Sequence, residues 1–157
     1  MKIRHLIFAL ILIPSVSNAG VCQKLVNEPV IKNSLFESNF NRVGKGCLYA
    51  VESLDFYGGY DFYIKSVDNK KFRLPRSTYM NAYATDILAI SFADFDSNGV
   101  NDIAIIFKAL TNKDPVRKIA FYRGTPIGYE VDDDVGKWFF LSEGKNISDV
   151  KNAIRKK

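Results

Sequence analysis

Ile103-Ala104-Ile105-Ile106-Phe107-Lys108-Ala109-Leu110 is the most apolar stretch of the chain beyond its N-terminal segment. Its apolar run is continuous rather than alternating, and it is rich in isoleucine. That is the pattern of a strand buried on both faces, at the middle of a sheet. Upstream, residues 87–92 are again apolar and strand-like. Downstream, a turn over 111–115 leads to a strand at 116–122. Gly124-Thr125-Pro126 then turns into a short strand over 127–131. Toward the N-terminus, residues 48–57 and 60–67 read as two strands joined at Gly58-Gly59, a two-residue hairpin signal. Asp68-Asn69 makes another turn, and 71–74 is a short third strand that Pro75 stops. Residues 78–86 read as a polar connection.

Helical signals lie toward the two ends. Residues 29–40 read as a short helix, with Pro29 at the first position and Val30, Leu35 and Phe36 as its apolar residues. Residues 146–156 read as a second: Ile147, Val150 and Ile154 share a face, and Asn146 or Ser148 caps the start. Asp149 near the start and Arg155, Lys156 and Lys157 at the end complement the helix dipole. Asp132-Asp133-Asp134 reads as a solvated turn or helix start, and Trp138-Phe139-Phe140 as core between helix and sheet. The expected fold class is α+β, a mainly antiparallel β-sheet of about six strands with short terminal helices.

Residues 1–19 have the three parts of a secretory signal. Lys2 and Arg4 make a basic start, residues 6–13 are apolar, and Ser17 and Ala19 are small residues at the cleavage positions. The apolar run is about half the roughly 20 residues that a membrane span takes. Cleavage after Ala19 leaves residues 20–157 as a single globular domain of 138 residues in a periplasm or outside the cell. It also removes Lys2 and Arg4, and so lowers the formal net charge from +5 to +3. A charge of +3 makes no case for nucleic acid. No later segment is long or apolar enough to span a membrane. In an oxidising compartment Cys22 and Cys47 are expected to form a disulfide.

The one histidine, His5, lies inside the signal. The mature chain therefore lacks imidazole, which excludes Ser-His-Asp and Cys-His catalysis, a histidine general base and the usual zinc hydrolase sites. The chain is expected not to be an enzyme.

One motif carries chemistry. Asp94-Phe95-Asp96-Ser97-Asn98-Gly99-Val100-Asn101-Asp102 places oxygen ligands at alternate positions and a glycine at the sixth. Calcium takes six to eight hard oxygens, and the glycine permits the turn that aims the Val100 carbonyl at the same centre. The expected ligands are Asp94, Asp96, Asn98, Val100 and Asp102. Asp94, Asp96 and Asn98 match the first half of an EF-hand loop. Position twelve of that loop should be glutamate and is Ile105, and the flanking segments read as strands. With three formal negative charges the affinity is expected near 10⁻⁴–10⁻³ M, roughly that of extracellular modules.

The loop resembles the strand-loop-strand calcium loop of FG-GAP and VCBS-type repeats. The likeness consists of Asp94, Asp96, Asn98, Gly99 and Asp102 running into Ile103-Ala104-Ile105-Ile106. There is one copy, so the resemblance implies a metal site and not a propeller of repeats. Over residues 94–106 the chain is also similar in outline to periplasmic carbapenem self-resistance proteins. The expected function is an exported protein that acts by binding an envelope or secreted partner, of immunity, inhibitor or self-resistance type. The alternatives are a small carboxylate- or calcium-dependent glycan-acting enzyme and a structural, calcium-stabilised envelope domain.

Overall fold

Every residue of the strand Asp102–Ala109 is buried except Lys108, which is half-buried. That follows from an apolar run with no polar face to offer water. The computed structural model describes residues 20–25, 27–54, 58–78, 84–111 and 114–156. The signal expected over 1–19, residues 55–57 of the strand expected over 48–57, residues 79–83 of the expected connection, and Lys157 lie outside the described residues.

The described chain is mostly antiparallel β-sheet with two short helices. The strands are β1 (Phe36–Phe40), β2 (Gly44–Glu52), β3 (Tyr60–Ser66), β4 (Lys71–Arg73), β5 (Ala84–Ala93), β6 (Asp102–Ala109), β7 (Val116–Thr125) and β8 (Gly128–Val131). The helices are α1 (Asp133–Leu141) and α2 (Ser148–Arg155). The strands form two four-stranded meanders, β1-β2-β3-β4 and β5-β6-β7-β8. This corrects the single sheet of about six strands. Each sheet alone leaves an apolar face to bury, and the two faces bury each other. Phe40, Leu48, Ala50, Phe62 and Ile64 of the first sheet share one core with Ile103, Ile105, Phe107, Ala120 and Tyr122 of the second.

The outer faces are covered differently. On the second sheet, Ala104, Ile106, Ile119 and Phe121 pack under Val135 and Phe139 of α1 and Val150 and Ala153 of α2. On the first, Cys47 and Tyr49 pack against Val21 and Leu25 of a 3₁₀ turn (Val21–Leu25). The Cys22–Cys47 disulfide fastens that turn to β2, with the two Cα atoms 5.1 Å apart.

Three expectations about elements are corrected. Residues 29–40 are not a helix: a 3₁₀ turn (Lys32–Ser34) precedes β1, which pairs with Gly44–Leu48. The Ser34 hydroxyl accepts from the Ala50 N–H at 2.7 Å, so β2 draws the segment into extended pairing. β5 begins at Ala84 and carries two register shifts before Ala89. β7 runs through Thr125, so the β7–β8 turn is Pro126-Ile127 and not Gly124-Thr125-Pro126.

At its start, α1 is capped by Asp132, whose side chain accepts from the Val135 N–H. Ser77 and Thr78 hold Asp133, through both hydroxyls and the Thr78 N–H. The acidic run is therefore a helix start fixed to the rest of the fold. In the first sheet, Asp61 lies 2.7 Å from Arg76 and 3.0 Å from Arg73. Burial raises its carboxyl, but the hydrogen bonds from Arg76 and Arg73 outweigh that and hold it below the ordinary value.

Two outcomes follow from these ties. Cys22→Ser releases the N-terminal turn from β2 and is expected to cost about 2–5 kcal/mol; an unchanged urea midpoint contradicts this. Because the Asp61 pKa is depressed by folding, its stabilisation is complete above the ordinary aspartate value and is lost as pH falls through the folded value. Asp61→Asn should lower stability at neutral pH and flatten its fall below about pH 4. A titration of unfolding free energy against pH reads this, and an acid limb as steep as the parent's contradicts it.

Candidate metal centre

The 94–102 loop joins the end of β5 to the start of β6. Its tight path needs two left-handed residues, Ser97 (φ 63°) and Gly99 (φ 84°). Asp94 organises the turn by accepting from the Asn98 N–H at 3.0 Å and the Gly99 N–H at 2.9 Å. Asp96 also accepts from the Asn98 N–H, at 3.2 Å. These bonds leave the carboxylates of Asp94 and Asp96 on the inside of the turn, facing Asp102. The three bring carboxylate oxygens to within 4.8 Å of one another.

Asp102 is fully buried. One of its oxygens accepts from the Phe95 N–H at 2.9 Å and the other from the Gly124 N–H at 2.7 Å. Burial pushes its carboxyl up and the two backbone donors oppose the shift. The carboxylates of Asp96 and Asp94 add to the rise. Gly124 fits here because it has no side chain: a Cβ would run into the Asn101 carbonyl and come within 2.8 Å of Asn41 Nδ2.

The two other expected ligands, Asn98 and Val100, also take part in the loop's own hydrogen bonds. Asn98 turns its side chain into the loop, where Oδ1 accepts from the Val100 N–H at 2.8 Å and Nδ2 donates to the Gly124 carbonyl at 3.4 Å. Val100 follows the left-handed glycine, and its N–H is held by Asn98. So the structure brings Asp94, Asp96 and Asp102 together and uses Asn98 to brace the loop.

One participant was missed in the sequence. Arg123 of β7 reaches Asp96 at 2.8 Å with one nitrogen and Asp132, the cap of α1, at 2.8 Å with the other. The signal that locates it is strand register and not local pattern. Tyr122 is the partner of Ile103, so Arg123 stands beside the start of β6 and the loop entering it.

The carboxylates carry three formal negative charges, and Arg123 is the cation paired with them. Arg123 shares its charge between Asp96 and Asp132, so the Asp94, Asp96 and Asp102 carboxylates are only partly neutralised. Arg123 competes for one oxygen of Asp96, so an entering cation must share that residue or displace the guanidinium. No family model, curated protein or solved structure matches the chain.

The clamp on Asp102 gives a specific outcome. In Asp102→Asn one of the two N–H donors, Phe95 or Gly124, faces an NH₂ group instead of an oxygen. The expected cost is about 1–3 kcal/mol, although a buried charge is removed. A chemical denaturation curve checks this, and an Asp102→Asn variant as stable as the parent contradicts it.

Proposed function

We propose that the chain is an exported protein whose 94–102 loop holds calcium, and that it acts by binding a partner rather than by catalysis. The observation that carries this reading is the convergence of the Asp94, Asp96 and Asp102 carboxylates at the mouth of β6. Oxygen-only donors of that kind suit calcium, while zinc favours imidazole and thiolate. Both cysteines are in the Cys22–Cys47 disulfide.

Two further features support the reading. The disulfide is compatible with an oxidising compartment, where calcium is abundant. The chain beyond residue 19 also lacks the side chain most used as a catalytic base at neutral pH. On this reading calcium sets the shape of the loop, and Arg123 passes that state to the cap of α1 through Asp132.

The test is a thermal melt of residues 20–157 with chelator and with calcium up to about 10 mM, above the affinity range of extracellular modules. Calcium is expected to raise the melting midpoint by several degrees, with magnesium weaker. Asp94→Ala with Asp96→Ala is expected to abolish the rise. A parent protein indifferent to calcium over that range sinks the metal assignment. For the partner, an envelope extract passed over the immobilised chain is expected to yield one protein at fixed stoichiometry.

A further inference from the structure

The two helices leave one end of their sheet uncovered. Under α1 and α2 the face of β6 and β7 is apolar, ending with the partners Ile106 and Ile119. One step farther on that same face the register pairs Lys108 with Arg117. Like charges directly opposite on antiparallel strands repel and destabilise the pairing. Neither residue forms an ion pair among the described residues. Asp86, the partner of Lys108 on the other side, makes none with it either.

These two cations stand in a groove of about 710 Å³ between the sheet and the end of α1. That volume is within the roughly 300–1,000 Å³ of small-molecule sites, which combine apolar walls with a few fixed polar groups. Its apolar part includes Leu88, Phe140 and Leu141, which are 46%, 42% and 58% exposed. Lys145 adds a third cation to the lining, and Glu143 is the one carboxylate there. An apolar wall beside an unneutralised like-charge pair is complementary to a molecule with a hydrocarbon part and an anionic end.

We propose that this groove binds a monomeric single-chain amphiphile with one anionic head group. The hydrocarbon chain lies along Leu88, Phe140 and Leu141, and the head group is held between Lys108 and Arg117. Charge-assisted hydrogen bonds from both side chains then replace their mutual repulsion. The site is independent of the calcium reading. It lies at the far end of β6 from Asp102, about six residues or ~20 Å along the strand.

The probe is sodium decanoate, kept below its micelle concentration and titrated into the ¹⁵N-labelled protein. One-to-one binding is expected, with amide shifts confined to the surroundings of Leu88, Lys108, Arg117 and Phe140. R117E should weaken binding about tenfold or more, as expected for loss of a charged contact. It should also leave the melting midpoint unchanged or raised, because it turns a like-charge strand pair into an opposite one. K108Q supplies a second, milder loss. Decyltrimethylammonium, with the same chain and a cationic head, should not bind there. The proposal is overturned by no binding at millimolar decanoate, by equal binding of the ammonium probe, or by affinity that R117E and K108Q leave unchanged. Binding seen only with micelles or vesicles also overturns it, since it indicates a membrane surface.

Discussion

The Asp102 carboxylate, sealed from water at the start of the central strand, joins three parts of the fold. Through Phe95 it fixes the beginning of the loop, and through Gly124 it fixes the end of β7. A buried carboxylate is costly unless its oxygens are hydrogen-bonded, so the two N–H donors are a condition of its presence. The loop entering β6 turns on its own bonds, from the Asn98 and Gly99 N–H groups to Asp94 and from the Asn98 N–H to Asp96, which set these two carboxylates beside Asp102. The acidic cluster thus combines the buried start of β6 with the turn that enters it, and the position of Arg123 follows from the register of β7 on β6.

The distribution of charge along β6 gives the two ends of the strand opposite characters. At its start, carboxylates outnumber the one guanidinium paired with them. At its end, Lys108 and Arg117 face one another with no acid between them. Between the two the strand is apolar on both faces and belongs to two separate cores. The coupling from Asp96 through Arg123 to Asp132 and α1 gives the loop a physical link to the layer that borders the groove.

Much of this was legible in the sequence wherever the signal is local. The unbroken run at Ile103 announced a strand buried on both faces, the spacing of Asp94, Asp96 and Asp102 announced their convergence, and Cys22 and Cys47 are bonded. What was not legible depends on partners distant in the chain. Phe36-Glu37-Ser38-Asn39-Phe40 has a weak helical period, yet it becomes β1 because Gly44–Leu48 offers it an edge. The split into two sheets was hidden, since alternation shows which face of a strand is apolar but not which strand lies beside it. The bonds of Asn98 to the Val100 N–H and the Gly124 carbonyl depend on the path of the loop and on β7, which spacing does not show. Arg123 carried no local mark and is found only through the Ile103–Tyr122 register.

The most direct measurement is a crystal structure of residues 20–157 grown with calcium, with anomalous data collected to locate the ion. A bound calcium gives a peak between the Asp94, Asp96 and Asp102 carboxylates, with the Val100 carbonyl turned toward it and the Arg123 contact to Asp96 lengthened or lost. A map with no peak there and the Arg123–Asp96 pair intact, at calcium concentrations well above millimolar, contradicts the metal assignment. The loop would then be a self-sufficient turn neutralised by its own arginine.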